Sequence, residues 1–380
     1  MGLLRTLLAL AVVVGHTHPV PGLALPAGDV AVEAFFVISG FYMSLVLTRK
    51  YAAVPGQWNR LRVFLAARLL RLFPVYLVVL AGTLLVRLAL TTRPDPPAWA
   101  WADSGGDLSP SSMALLVLTN LFIVGQEIVT WSVLEPATGL LGLTRSAAPA
   151  GQVAGHEFLL VPQAWSLSLE LCFYALAPWL ARLRTPPLVA LVGGSLLLRA
   201  SLPLVGLDSH LWNYRFFPAE LGFFLLGVLG HRAYERSGSR VTPRQGTAAL
   251  VAVILLTLGY GSADVPFQRW AYLSAVVLLV PLLFAAFRSS RVDRAIGELS
   301  YPIYISHLLV LTVVLRVPHL PDGGTAVALV TIAGTLVVSA ALLVAVDRPV
   351  ERLRQARVAR SLPPAGAAPA AAAPEPQALP

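Results

Sequence analysis

The segment that decides the fold is LLRTLLALAVVVGHTHPV, residues 3–20. It is apolar enough for a membrane helix, yet it carries Arg5 and His16 with ten residues between them. Eleven steps of 100° return the two side chains to nearly the same helix face, about 16 Å apart along the axis. A charge near the middle of a membrane helix costs roughly 2.5–3.5 kcal/mol, so such groups are functional candidates. The pair predicts a reaction that extends through the depth of a membrane.

A cleavable signal peptide is the alternative interpretation of this segment. It has a basic residue, an apolar run and small residues near Ala24 and Ala27, which is the pattern of a secretory signal. Many further apolar segments follow, and cleavage would remove the Arg5–His16 pair. We therefore expect the segment to stay as the first membrane helix.

Composition indicates a polytopic membrane protein. The chain has 380 residues, of which 57% are hydrophobic and 12% charged, and its mean hydropathy is +0.73. Soluble domains carry about 25% charged residues. The single cysteine, Cys172, excludes an internal disulfide and a multi-cysteine metal site, and we expect no metal. The net charge is +9, but the arginines cluster between apolar runs, which membrane topology explains better than nucleic-acid binding.

Ten apolar segments predict an all-α bundle of about ten transmembrane helices. Most are long enough to cross a hydrocarbon core of about 30 Å. The predicted spans are residues 3–20, 30–48, 66–90, 163–182, 187–205, 215–232, 246–262, 268–287, 299–316 and 324–346.

The distribution of arginine predicts the topology. Five basic clusters are expected in the cytoplasm with both termini, and the acidic loops 91–111, 206–214 and 263–267 are expected outside. Segment 112–143 must then re-enter, cross twice as a short hairpin, or lie at the interface, so we expect it to be partly embedded. Residues 1–352 form the predicted membrane domain. Residues 353–380 form an Ala/Pro-rich cytoplasmic tail that we expect to be disordered.

Arg68 and Arg71 are three residues apart, so they share one helix face. Two guanidinium groups there could bind phosphates bidentately, or they could anchor the helix by reaching lipid phosphates. Both interpretations stay open.

His16 could deprotonate a hydroxyl, because histidine titrates near working pH. Glu33 begins the second span on the same side and could orient the imidazole. Alternatively, His16 is simply a polar residue at the membrane interface.

Two further polar faces lie on predicted helices. Ser166, Glu170 and Tyr174 recur every four residues and form a stripe that faces the bundle interior, either as packing contacts or as the lining of a site. Tyr304 and His307 form a similar face, for which structural hydrogen bonding is the favoured interpretation. Ser39 beside Gly40 is expected to allow close helix packing.

Six short motifs occur in order along the chain: Arg5-x10-His16, VEAFFVISGF at 32–41, RLLRLFP at 68–74, WSLSLELCFY at 165–174, FFLLG at 223–227 and LSYPIYISH at 299–307. Together they resemble the membrane-bound acyltransferase family 3, whose members O-acylate polysaccharides, lipopolysaccharides, peptidoglycan and macrolides. The resemblance implies transfer from cytosolic acyl-CoA to an acceptor on the outer side. It also implies that Arg5 and His16 are the essential pair and that Arg68 and Arg71 bind the donor.

The hypothesis that follows is an integral O-acyltransferase of the bacterial inner membrane. Acyl-CoA, expected as acetyl-CoA, is the co-substrate, and no cofactor is expected to stay bound. Arg5, Arg68 and Arg71 would hold the CoA phosphates, and His16 would act as the base. Direct attack on the thioester and an acyl-histidine intermediate both stay open.

The acceptor is less defined than the donor. Glu170 and Arg215 are expected to help shape its site, and a polysaccharide, a lipid-linked sugar and a glycoside all remain open. The rival hypothesis is a secondary transporter or flippase without covalent chemistry. Transporters often contain paired repeats, and the sequence has no clear repeat.

Overall fold

Helices make up most of the structure. The computed structural model describes residues 1–17, 19–93, 98–146, 148–207, 210–237, 241–262, 265–317 and 324–361. The α-helices in these ranges are α1 Gly2–Gly15, α2 Gly28–Leu45, α3 Gln57–Thr91, α4 Ala100–Asp103, α5 Pro110–Phe122, α6 Gln126–Val129, α7 Trp165–Leu180, α8 Thr185–Ser201, α9 His210–Arg215, α10 Phe217–Ser237, α11 Pro243–Leu258, α12 Gln268–Phe287, α13 Arg291–Glu298, α14 Ser300–Val314, α15 Thr325–Leu342 and α16 Arg348–Arg360. Short π-helical segments, Val46–Lys50 and Leu343–Asp347, extend α2 and join α15 to α16.

The prediction of an all-α protein is confirmed, and each of the ten predicted spans coincides with a helix. Six helical stretches of the described chain are long and apolar enough to cross a membrane. These are Gly28–Lys50, Gln57–Thr91, Thr185–Val205, Gln268–Phe287, Arg291–Val314 and Thr325–Arg360. Helices α1 and α11 are apolar but shorter, with 14 and 16 residues. The count of ten crossings therefore stays a prediction.

Segment 112–143 does not form one continuous helix. Helix α5 ends at Phe122, and Ile123 and Gly125 both have positive φ, at 68° and 86°, so the chain turns sharply there. Helix α6 and a two-stranded hairpin follow, with β1 Ser132–Leu134 antiparallel to β2 Leu141–Leu143. A helix of 13 residues is only about 20 Å long, which agrees with a break in this segment. How deeply it enters the membrane stays a prediction.

The C-terminal prediction needs a correction. Helix α16 runs to Arg360, so residues 353–360 are helical rather than disordered, and the expected boundary at 352 falls inside a helix. An ion pair one turn apart, Arg354 with Glu351 at 2.5 Å, supports this helix. Residues 362–380 lie outside the described part of the chain. The same holds for parts of the three loops expected outside, residues 94–97, 208–209 and 263–264.

Helix α2 is the centre of the bundle, and glycine lets it approach α10 closely. A side-chain carbon added at Gly40 would overlap the carbonyl oxygen of Phe224. One added at Gly227 would overlap the carbonyl oxygen of Val37. The expected close packing at Gly40 is therefore confirmed. The two glycines fix the distance between helices whose other side chains are mostly buried.

We expect Gly40→Ala to destabilise the protein by about 1–3 kcal/mol, because the added carbon must push α10 away from α2. The matched control is Gly193→Ala on α8, where an added carbon meets nothing within 4 Å. That control should be neutral or slightly stabilising, since alanine is the better helix former. Thermal unfolding of the detergent-purified variants, followed by tryptophan fluorescence, measures the difference. Equal unfolding temperatures would show that this contact does not limit the packing.

Candidate functional site

A cavity of about 470 Å³ opens between α1, α2, α3, α7, α12, α13 and α14. Seven of the side chains predicted for the site line it: Arg5, Arg68, Arg71, Ser166, Glu170, Tyr174 and Tyr304. They come from four helices that are far apart in the sequence. The cavity is within the size range of small-molecule sites, roughly 300–1,000 Å³.

The three arginines of the cavity differ in their partners. Arg71 donates from Nη1 to both carboxylate oxygens of Asp347, at 2.7 and 3.0 Å. Asp347 was not predicted from the sequence. Arg68 lies over the ring of Phe64, and its buried Nε has no hydrogen-bond partner in the described part of the chain. The Arg5 guanidinium has neither a hydrogen bond nor an ion pair to any described residue. The positive charges of Arg5 and Arg68 therefore remain available to an anion.

Glu170 is the acidic side chain at the middle of the polar stripe on α7. Its Oε1 accepts hydrogen bonds from the Ser39 hydroxyl at 2.5 Å and from the Tyr174 hydroxyl at 2.6 Å. The stripe faces the cavity, so it lines a site as well as providing contacts. Ser39 was expected only to allow close helix packing. Its hydrogen bond to Glu170 joins residues that are 131 positions apart in the sequence, so no local sequence pattern predicts it.

Tyr304 connects α14 to the start of α7. Its hydroxyl lies 2.6 Å from the Ser166 hydroxyl and donates to the Gln163 carbonyl oxygen at 2.9 Å. The ring of His307 is 6.1 Å from that of Tyr304, and His307 is fully buried. The favoured interpretation of this face as a hydrogen-bonding one agrees with these contacts.

His16 caps the end of α1 and is exposed. Its Nδ1 lies 2.8 Å from the Val12 carbonyl oxygen, and its ring centroid is 4.9 Å from that of His307. Arg5 lines the cavity, whereas His16 is outside the set of side chains that line it. Only one member of the Arg5–His16 pair therefore lines the cavity, and ring contacts from Tyr304 to His307 and from His307 to His16 link the cavity lining to the other.

The expectation that Glu33 orients His16 is wrong. The Glu33 carboxylate is fully buried, and it pairs with Arg199 at 2.8 Å and with Arg269, whose Nε donates at 3.0 Å. Arg269 also pairs with Asp29 at 2.5 Å, and Arg199 pairs with Glu220. Because a buried carboxylate needs opposite charge, the two arginines hold Glu33 toward α8 and α12. We call these five side chains the ion network.

The sequence did contain a signal for the two arginines of the ion network. Arg199 lies inside the predicted span 187–205, and Arg269 begins the span 268–287 next to an expected outer loop. Both are therefore arginines far from the basic clusters. An intramembrane arginine needs a partner, and that need pointed to a buried carboxylate.

Arg215 lies beside the site and does not line the cavity. Its guanidinium carbon is 5.1 Å from the ring centroid of Trp165, the first residue of α7. Its buried Nε has no hydrogen-bond partner in the ranges described. Whether it contributes to an acceptor site stays a prediction.

Comparison with known proteins gives one match. A family model described as an acyltransferase domain, of acyltransferase family 3, matches residues 1–344. No curated protein and no solved structure matches the chain. The match covers every site residue described above except Asp347.

We expect Glu33→Gln to destabilise the protein by on the order of 3 kcal/mol, since the neutral amide loses the buried charge-assisted bonds that Glu33 makes to both Arg199 and Arg269. Asp29→Asn is the matched control: it removes a carboxylate that is 17% exposed, whereas Glu33 is fully buried, and it should cost less. Thermal unfolding compares the two variants. If the Glu33→Gln protein had normal stability and only its acyl transfer were impaired, the result would instead support the expectation that Glu33 orients His16.

Proposed function

Because the chain belongs to acyltransferase family 3, we propose that it is a membrane O-acyltransferase. It transfers an acyl group, acetyl in the simplest case, from acyl-CoA to a hydroxyl of a glycan or glycoside. The observation that carries the proposal is the cavity, which contains two arginines with no carboxylate partner among the described residues and is lined by Tyr304, whose ring contacts link it to His307 and to the exposed His16.

The donor binds through its phosphates. Arg5 and Arg68 each offer a guanidinium that no described carboxylate neutralises, and phosphate is a ligand that matches this group. Arg71 is held in place by Asp347 and adds its remaining N–H groups to the same wall. The pantetheine arm then extends along the cavity. Glu170 lines the same cavity, and its Oε2 accepts no hydrogen bond from the described residues.

His16 acts as the general base, and a backbone carbonyl sets its tautomer. A carbonyl oxygen can only accept, so the Nδ1 that bonds Val12 carries the proton and Nε2 keeps the lone pair. Nε2 takes the proton from the acceptor hydroxyl as its oxygen attacks the thioester carbon. The C–O bond forms, the C–S bond breaks, and the CoA thiolate receives the proton. An acyl-histidine intermediate would use the same nitrogen as the nucleophile.

The direction of transfer follows from the basic clusters of the sequence. In the proposed orientation both termini face the cytoplasm, so the Arg5 end of α1 meets cytosolic acyl-CoA and His16 meets an acceptor on the outer side. The two residues are about 16 Å apart along α1. A donor that reaches across this distance delivers its acyl group without leaving the protein.

His16→Ala should lower acyl transfer by about 10²–10⁴-fold, the usual contribution of a general base. The assay uses protein in liposomes with acetyl-CoA and octyl glucoside, and measures CoA thiol release together with the acetylated glycoside. The control, His156→Ala, changes another exposed histidine away from the cavity and should keep the rate. Normal transfer by the His16 variant would refute the base. Movement of glycoside across the membrane without thiol release would support a transporter instead.

Arg68→Gln should weaken acetyl-CoA binding by about tenfold or more, since a hydrogen bond between charged groups contributes roughly 1.5–3 kcal/mol. Acetyl-pantetheine lacks the nucleotide phosphates, so its binding should change little. The control is Arg62→Gln, an exposed arginine of the same helix that does not line the cavity. Isothermal titration of each variant with both thioesters measures the effect. Equal losses for the two thioesters would show that Arg68 acts on folding and not on phosphate.

A further inference from the structure

His307 is a fully buried imidazole on α14. Its Nδ1 lies 2.7 Å from the carbonyl oxygen of Tyr304, so Nδ1 carries the proton and Nε2 keeps the lone pair. Nε2 is buried and has no hydrogen-bond partner within the described ranges. Buried polar groups are nearly always paired. This buried nitrogen, which is unpaired among the described residues, therefore requires an explanation.

The ring of His16 provides one. The two ring centroids are 4.9 Å apart, with an angle of 54° between the ring planes. His16 also bonds a backbone carbonyl through Nδ1, so in the neutral state both rings keep a lone pair at Nε2. Two lone pairs cannot form a hydrogen bond. One proton added to Nε2 of His16 turns that nitrogen into a donor, and His307 is the adjacent acceptor.

We propose that His307 is a positioning residue that shares the proton taken up by His16. The inference rests on the proposed function, because the proton comes from the acceptor hydroxyl. When the hydroxyl oxygen bonds to the thioester carbon, its proton passes to Nε2 of His16, which then donates to Nε2 of His307. The proton next passes to the departing CoA thiolate, and both rings return to the neutral state. The centroid separation allows this hydrogen bond after rotation of the exposed His16 side chain.

The surroundings favour sharing of one proton. The titratable groups that face His307 are His16 from α1 and Tyr304 from its own helix. Two positive rings this close would repel each other, so the pair accepts a single proton per cycle. Tyr304 is held by Ser166 and Gln163, and its carbonyl fixes the His307 tautomer. His307 thus has a fixed acceptor nitrogen next to a base that can move.

The test compares His307→Leu with His307→Gln. Leucine removes the acceptor nitrogen, whereas the glutamine amide can donate to the Tyr304 carbonyl and still present an acceptor oxygen. His231→Leu is the matched control. His231 is also fully buried, and its Nδ1 lies 2.9 Å from the Ser44 hydroxyl. Its Nε2 also has no hydrogen bond among the described residues, although a Glu235 carboxylate oxygen lies 3.7 Å away, and the residue lies on α10 outside the cavity lining.

The measurement is CoA release and glycoside acetylation against pH, with acetyl-CoA and octyl glucoside in liposomes. We expect His307→Leu to lower kcat about tenfold at unchanged KM for acetyl-CoA. We also expect the acidic limb of the profile to move to lower pH, because protonated His16 loses its acceptor. His307→Gln should recover most of the rate, and His231→Leu should keep the wild-type profile.

Two results would overturn the inference, and they are distinguishable. If wild-type protein releases CoA normally and the kcat and pH profile of His307→Leu match those of His231→Leu, the shared proton is refuted and the proposed function stands. If wild-type protein releases no CoA from acetyl-CoA, the proposed function fails, and the role of His307 fails with it.

Discussion

A carboxylate in the interior of a helical bundle requires a countercharge, and Glu33 has two, Arg199 and Arg269. The ion network joins α2 to α8, α10 and α12, so it determines how α2 is rotated about its own axis. With Glu33 turned toward these helices, the opposite face of α2 presents Ser39 and Tyr42 to the cavity. The shape of the site therefore depends on charges that do not belong to it.

The bundle uses its arginines in two ways. In the ion network, each arginine pairs with two carboxylates, and the result is rigidity. In the cavity, Arg5 and Arg68 have no described carboxylate partner, and the result is a local excess of positive charge. Burial makes such an excess costly unless an anion or water compensates it. The difference in partners separates residues that hold helices together from residues that can bind a ligand.

Local periodicity allowed the parts of the site on single helices to be predicted. Arg68 with Arg71, and Ser166 with Glu170 and Tyr174, share helix faces that the structure turns into the cavity. The all-α architecture and the helix at every predicted span follow from apolar segment length in the same way.

Pairs between distant segments could not be predicted in this way. Arg71 and Asp347 are separated by 276 residues, and Glu33 and Arg269 by 236. The position of Glu33 near the start of its helix says nothing about which direction it faces. That direction is decided by helix packing and by the arginines that the packing brings close. The placement of His307 beside His16 has the same origin, since the contact joins the first and fourteenth helices.

The π-helical segment Leu343–Asp347 sets the direction of Asp347, the carboxylate that pairs with Arg71. A π turn accommodates one residue more than an α turn. The extra residue is absorbed there, so α15 and α16 each keep their own face toward the bundle. One residue lost from the regular last turns of α15 has no such turn to absorb it and would rotate Asp347 around the helix by about 100°. Arg71 would then face the cavity without its carboxylate, and the charge of the cavity would change although every side chain that lines it stayed in place.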